Sequence, residues 1–310
     1  MRVFVYEHFT AGGAVPEMPP PELLAEGRAM ATALVAELAT LPGVSVRLAW
    51  AAGLRPPDLP VEIRETVPGE PGLPPGADAL EGCDAVWPIA PESGGILERD
   101  SRAVLAAGRT LLGCSPEAVR TAASKCATAA AVAARGVPVV PTRRAGEGIP
   151  EWGTGWVLKP DRGEGGQGVR YFPRRPELQE ALGSLERPRE WVIQPFVPGR
   201  GASLSLVMGK GTARAVSLNR QPVTWDAEGA HLQGVEPGPP PGPEDGWVGR
   251  VQGLAEAIPG LWGFVGVDFV DTPQGPVVLE VNPRLTTAFA GLPGKARAGV
   301  AKDVLNGGNR

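Results

Sequence analysis

The apolar run RVFVYEH (2–8), bounded by the turn-rich TAGGAVPEMPPP, predicts an opening strand. ELLAEGRAMATALVAELATL (22–41) spaces its apolar residues at helical intervals, and VSVRLAW (44–50) returns to strand texture. Beyond a Pro-rich stretch at 55–76, CDAVWPIAP (83–91) reads as a third strand, GILERDSRAVLAAG as a helix and RTLLGCS (109–115) as a fourth strand. Strand, helix, strand, repeated at this spacing, predicts parallel βαβ units in an open α/β sheet. Its ligand edge should lie at the strand C-termini, near Glu7–Gly13 and Pro91–Gly95. PEAVRTAASKCATAAAVAARG (116–136) predicts a single helix, with Pro116 in its first turn and Gly136 as its stop.

From residue 152 the texture changes to short strands and glycine turns: WVLKP, VRYF, WVIQPFV, ASLSLVM and TARAVSLN, with one helical stretch at 245–258 and a PGPPPGP surface loop at 237–243. The expected class is therefore α/β plus α+β. The expected lobes are an N-terminal α/β lobe (1–115), a central lobe (116–194) and a C-terminal lobe (195–310).

The last hairpin carries the densest chemistry. GFVGVDFV (263–270) and VVLEVNP (277–283) flank a DTPQGP turn. A turn centred near Gln274 sets Asp268 opposite Glu280, and period-two alternation adds Asn282 on the same face, opposite Gly266. Val265, Val267 and Phe269 then face the core. Two carboxylates and an amide oxygen suit Mg²⁺, which takes hard oxygen ligands; a solvated polar strand face is the bland alternative.

Composition narrows the partners. Hydrophobic residues make up 43% and charged residues 21%, which describes a folded globular chain with room for a large core. Net charge is −4 with no basic block, so nucleic acid is not an expected partner. No apolar stretch is long enough to span a bilayer, and MRVFVYEHF is not a signal peptide. Three cysteines without metal spacing, Cys83, Cys114 and Cys126, suggest reduced thiols and a cytoplasmic protein. With only two histidines, His-dependent metal sites and nucleophiles are poorly supplied. There are five lysines against 25 arginines, so each lysine is informative.

GEGGQG (163–168) matches G-x-G-x-x-G, but it joins strand WVLKP to strand VRYF, and about ten further residues precede a helix, so the dinucleotide-binding context is missing. What remains is a glycine hairpin whose bare amides suit phosphates, or simply a flexible turn. Lys159 sits one residue before the end of the preceding strand at Pro160, and Lys125 lies in the Ala-rich helix; singly, each reads as a solvated lysine.

Taken in order, Lys125, Lys159 with the glycine loop, QPFV, Asp268 and Glu280-x-Asn282 resemble the ATP-grasp superfamily of carboxylate–amine ligases, over nearly the whole chain. The resemblance implies an ATP-grasp fold behind an N-terminal pre-ATP-grasp lobe. It implies ATP held by Lys125 and Lys159 and covered by a lid containing Gly163, Gly165, Gly166 and Gly168. An adenine hinge would run through Gln194, Pro195, Phe196 and Val197, with Mg²⁺ on Asp268, Glu280 and Asn282. PGRGAS, with Arg200 and Gly201, stands where many members carry a ribose-binding carboxylate. The motifs E-x-x-x-x-G-G (Glu7, Gly12, Gly13), LLAEG, APESGGIL, LNRQP and EVNPRLTT are most similar to the tyramine–L-glutamate ligases of methanofuran and methylofuran biosynthesis.

The implied chemistry is amide formation through an acyl phosphate, with ADP and phosphate released. Arg284 suits a clamp on the transferring phosphoryl group, or a salt bridge at a strand end, and Arg220 carries the same two readings. Glu92 and Glu7 suit a substrate ammonium or purely local roles. A small-molecule phosphotransferase would share every nucleotide residue, as would a ligase of another acid–amine pair. The expected partners are small molecules, with a homodimer allowed.

Overall fold

The computed structural model describes residues 1–13, 19–67, 80–151, 155–163, 166, 168–209, 212–226, 229–247 and 249–307. β1 (Arg2–Glu7), β2 (Ser45–Ala51), β3 (Glu62–Thr66), β4 (Ala85–Ile89) and β5 (Thr110–Leu111) form a parallel sheet in the order β3-β2-β1-β4-β5. The strand order reverses between β1 and β4, so the crevice at their C-terminal ends, at Glu7 and beyond Ile89, is the expected ligand edge. β3 lies within the Pro-rich stretch, where sequence patterning gave no strand. Its pattern is mostly exposed, as befits an edge strand with little apolar alternation.

α1 (Pro21–Ala39) covers one face of this sheet, burying Met30, Leu34 and Leu38 against Val3, Val5 and Leu48. α2 (Ile96–Ala106) crosses between β4 and β5, with Val104 packing among Phe4, Tyr6 and Val86 on the other face.

The expected single helix over 116–136 is two: α3 (Pro116–Ala122) and α4 (Lys125–Ala133). Ser115 caps the first by accepting from the Ala118 amide, and Ser124 caps the second by accepting from the Ala127 amide. The break puts Lys125 at the first position of α4 rather than mid-helix.

The central sheet is four-stranded, in the order β6 (Arg143–Arg144), β9 (Trp191–Pro195), β7 (Trp156–Pro160) and β8 (Arg170–Phe172). α5 (Arg175–Gly183) backs it, burying Leu178 and Ala181 with Leu158 and Ile193. This helix starts three residues after β8 ends, nearer than sequence spacing suggested.

The third sheet runs β14 (Glu236–Pro237), β11 (Ala213–Arg220), β10 (Arg200–Met208), β15 (Gly263–Thr272) and β16 (Gly275–Asn282). A separate hairpin, β12 (Val223–Trp225) and β13 (Ala230–Leu232), sits between β11 and β14. α6 (Arg250–Ala257) is shorter than the expected 245–258, and a separate 3-10 turn at Pro243–Asp245, ended by Gly246 at φ 71°, precedes it. α7 (Thr287–Gly291) and α8 (Gly294–Gly307) pack onto α1 and join the third sheet to the first lobe through one core containing Phe264, Phe289 and Val300. Among the described residues, no helix is long and apolar enough to cross a membrane.

Candidate functional site

The β15–β16 hairpin pairs Asp268 with Glu280 and Gly266 with Asn282, as alternation predicts, but not by simple counting. At the turn Thr272 pairs with Gly275, a register that would set Asp268 against Leu279. The register shifts by one between Asp268 and Phe269. Leu279 and Glu280, both half-buried, therefore line the cleft together while Val278 and Val281 remain in the core. A bulge of this kind re-aims side chains at the cost of one ladder position. Gly266 is needed beneath the cluster, because a Cβ there would lie 2.8 Å from Thr286 Cγ2.

Two buried lysines reach the same place from other elements. Lys125, at the start of α4, donates to the Gly163 carbonyl at 2.9 Å and pairs with Glu280 Oε2 at 3.2 Å. Lys159, near the end of β7, is 6% exposed. Burial lowers its ammonium to about 8, against the opposing pull of Glu280. Burial raises the Asp268 carboxyl, and repulsion from Glu280 raises it further. Burial also pushes on Glu280, but the ammonium groups of Lys125 and Lys159 overcome it and hold that carboxyl low. Asn282 Nδ2 donates to Asp268 Oδ2 at 3.0 Å, and Gln221 Nε2 donates to its Oδ1 at 3.1 Å. Two neighbouring carboxyls beside a side-chain amide form an oxygen-bearing group that suits a hard divalent cation such as Mg²⁺.

The lysines and carboxylates line a cleft of about 250 Å³. Its other walls include Gly163, Gly166, Val169, Pro195, Phe196, Val197 and Val270. Gly166 and Gly168 have φ of 74° and 70°, the left-handed region that favours glycine; Gly165 lies outside the described residues. Gln194 is buried and donates to Thr142 Oγ1 at 2.8 Å, so its side chain serves the central sheet rather than a ligand. Among the described lining residues the only acids are Asp268 and Glu280. Arg200 is exposed and pairs with Asp271 at 3.2 Å.

Sequence reasoning missed the residue that assembles the lysine end. Asp161, 3% exposed, accepts from Ser124 Oγ at 2.8 Å, the Cys126 amide at 2.9 Å and Arg144 Nη1 at 3.2 Å, while its carbonyl accepts from the Lys125 amide at 3.0 Å. It thereby ties the start of α4 to the end of β7. Its signal was its place directly after Lys159-Pro160. Gln221 and Asn219 were missed too. Asn219 is a buried hub, accepting from Ser217 Oγ and donating to Ser203 and Ser205 Oγ, on the sheet face that carries Asp268.

Arg220, one residue from each, alternates to the opposite face. Its side chain is 80% exposed and pairs with Glu236 at 3.2 Å, so the structure does not bring it to the cluster, and a surface ion pair is its role here. Arg284, just past β16, is brought instead to the first lobe, where its Nε lies 3.0 Å from Glu92 Oε1. Glu7 lies close enough to feel that guanidinium. It is 1% exposed, and its Oε2 accepts from the Thr10 amide at 2.8 Å. Burial pushes its carboxyl up to about 7, with the turn amides and Arg284 opposing. Gly12 has φ of 76°, and a Cβ on Gly13 would lie 2.3 Å from His8 Nδ1, so both glycines shape the turn after β1. Glu7, Glu92 and Arg284 thus converge at the crevice between the first lobe and the β16 end.

An ATP-grasp domain model matches residues 122–288, and a pre ATP-grasp 3 domain model matches 52–119. The chain belongs to the ATP-grasp family. Two curated relatives are the tyramine–L-glutamate ligases of Methanocaldococcus jannaschii and Methanocaldococcus fervens, each 33% identical over 119 residues. Those matches cover 38% of this chain and 36% and 38% of the relatives, so the chain aligns with little more than a third of their length. Solved structures share the fold. A protein described as of the ATP-grasp superfamily from Archaeoglobus fulgidus superposes at a TM-score of 0.72 with 22% identity, covering 99% of this chain and 88% of that one. The D-alanine–D-alanine ligase of Bacillus anthracis complexed with ATP superposes at 0.66 with 14% identity, covering 99% and 96%. The L-amino acid ligase of Bacillus licheniformis does so at 0.60 with 15% identity, covering 94% and 68%.

Proposed function

We propose that the protein is an ATP-dependent carboxylate–amine ligase that forms an amide through an acyl phosphate. The observation that carries this reading is the convergence, in one cleft, of two buried lysines from α4 and β7 with two carboxyls from the β15–β16 hairpin. Lys125 and Lys159 would hold the nucleotide phosphates, and Gly163, Gly166 and Gly168 would approach them with bare backbone. Asp268, Glu280 and Asn282 would hold Mg²⁺, which when bound neutralises phosphate charge.

A substrate carboxylate oxygen attacks the γ-phosphorus and ADP leaves. An amine nitrogen then attacks the acyl carbon, and inorganic phosphate leaves with one proton lost from nitrogen. Such transfers need positioning and electrostatic stabilisation rather than a protein nucleophile, consistent with a cleft that holds no histidine or cysteine among its described residues. Arg284 is the cation at the far end of the hairpin, suited to the acyl phosphate, and Glu92 beside it suits an ammonium.

The finer reading is condensation of the γ-carboxyl of L-glutamate with an aromatic amine, tyramine or tyrosine, in a methanofuran- or methylofuran-type pathway. It is supported by the partial likeness to tyramine–L-glutamate ligases and by the grouping of Glu7, Glu92 and Arg284. Purified protein with ATP, Mg²⁺, glutamate and either amine should yield ADP, phosphate and a condensed mass one water below the sum. Product only from another acid–amine pair would reject the substrates and keep the class. A stable phosphoester in place of an amide would reject the class.

A further inference from the structure

LNRQP (218–222) spans the end of β11, and alternation divides its polar residues between the two faces of the third sheet. Arg220 takes one face, while Asn219 and Gln221 share the other with Asp268. On that face Asn219, Ser203, Asp268 and Glu280 stand in one row across β11, β10, β15 and β16. Asn219 anchors the row by donating to Ser203 and Ser205 Oγ, both at 3.1 Å. Gln221, two residues on, lines the cleft itself. Its Nε2 donates to Asp268 Oδ1 at 3.1 Å, reaching over the end of β10.

That reach depends on Gly201, the β10 residue beside it. The Gln221 amide donates to the Gly201 carbonyl at 3.1 Å, and a Cβ on Gly201 would lie 2.8 Å from the Gln221 carbonyl oxygen. That Cβ would also rise on the cleft face, between β11 and Val270, the register partner of Gly201 on β15. Asn282 Nδ2 takes the second oxygen of Asp268, so a neutral amide holds each oxygen of that carboxyl. Glu280 is held differently, by the Lys125 ammonium. Neutral donors add no net charge to the cleft; what they fix is the direction of the carboxyl. Each carboxyl oxygen keeps a further lone pair, so an amide contact leaves it able to meet a cation.

We infer that Gln221 is a positioning residue for Asp268, holding that carboxyl toward the cleft and so setting the affinity of the site for a divalent cation. This rests on the metal site proposed above. Carboxylates that ligate metals owe their orientation to hydrogen-bonded neighbours, and loss of such a neighbour costs about 10- to 100-fold in metal affinity. The working residue of LNRQP is then the glutamine, which reaches the cluster, and the arginine before it belongs to the opposite face. Gln221 is half-buried at a strand end, so its replacement removes a contact to Asp268 without opening the core of the sheet.

Calorimetric titration of the whole protein with ADP, once in EDTA and once in saturating Mn²⁺, isolates this role. The ratio of the two affinities scales with the hold of the nucleotide-bound protein on the cation. Gln221→Leu removes the donor at similar volume and should lower that ratio about ten-fold. Its affinity in EDTA and its thermal transition should match wild type, which a merely structural residue would not allow. Gln221→Asn keeps an amide but is one methylene too short to reach Asp268, and should behave as Gln221→Leu does. Arg220→Ala, on the opposite face, should leave both affinities as they are. A wild-type response to Mn²⁺ that Gln221→Leu reproduces in full overturns the inference alone. Equal weakening in EDTA and in Mn²⁺ also overturns it, because Gln221 would then act on the nucleotide or on the whole cleft. Wild-type affinity that is the same with and without Mn²⁺ removes the metal site itself, and the inference with it.

Discussion

Lys159 is where stability and binding should oppose each other. Burial, partly offset by Glu280, lowers its ammonium from 10.5 to about 8. Because the folded value lies below the unfolded one, the fold carries a cost that is full below pH 8 and fades as pH rises toward 10.5. At neutral pH that cost is about 3 kcal/mol. Lys159→Met keeps the length and removes the charge, so it should raise stability at pH 7 by up to about 3 kcal/mol, with the gain shrinking above pH 8. The same variant should lose nucleotide if Lys159 holds phosphate as proposed above.

In wild type, ADP affinity in metal-free buffer should fall about fifteen-fold between pH 8 and 9.5, as the free lysine deprotonates while ADP stays fully ionised. A lysine at its ordinary value would change it very little over that range. Lys159→Arg keeps its charge and should flatten the slope. Calorimetry in two buffers of different ionisation enthalpy should show about half a proton taken up at pH 8. A wild-type change below about two-fold, or an equal slope in Lys159→Arg, would refute the reasoning.

Asp268→Asn and Glu280→Gln should each lower turnover by about 10²–10³ with the thermal transition retained, read by ADP release in saturating Mg²⁺. Near-wild-type turnover in either would remove the metal assignment. Because the described cleft lining offers no carboxylate beyond Asp268 and Glu280, 2′-deoxy-ATP should support turnover within about three-fold of ATP. A ten-fold or larger discrimination in kcat/KM would show a ribose contact at work, the scale of one lost charged hydrogen bond.

The order of elements and the metal-type face were legible because alternation and glycine turns are local signals. Asp268, Glu280 and Asn282 were read from period two alone, although the bulge at Leu279 and a turn half a residue off centre happened to compensate. The Lys125 helix was misread as continuous because Ala-rich sequence carries no breaker of its own. The break is enforced by Asp161, 35 residues on from Cys126, through the capping serine and the first amides of α4. β3 was illegible since its exposed edge has no apolar rhythm, while of the two readings of Arg220 the structure shows the salt bridge, alternation turning it to the face opposite Asn219. The ring contacts among Tyr171, Phe196 and Trp225 were invisible for a different reason: the three come from separate segments, and only tertiary packing gathers them.

The charges of the site explain why it can be buried at all. Lys125 and Lys159 face Asp268 and Glu280, two ammonium groups against two carboxyls, with the Lys125–Glu280 pair at 3.2 Å offsetting part of the desolvation cost. A nucleotide polyphosphate with divalent cations is also close to neutral as a whole, though locally strongly charged. Its phosphates can take the lysines and its cations the carboxyls, so each buried group exchanges one partner for another and none is left unpaired. Without the carboxyls the Lys159 ammonium would be lowered further; a site of two carboxyls alone would hold a shared proton in place of a metal. Joining the two pairs across α4, β7 and the β15–β16 hairpin lets either one stay charged. Neutralising one member should therefore disturb both ends. Glu280→Gln is expected to lower the Lys159 ammonium still more, because Glu280 is the leading group that raises it.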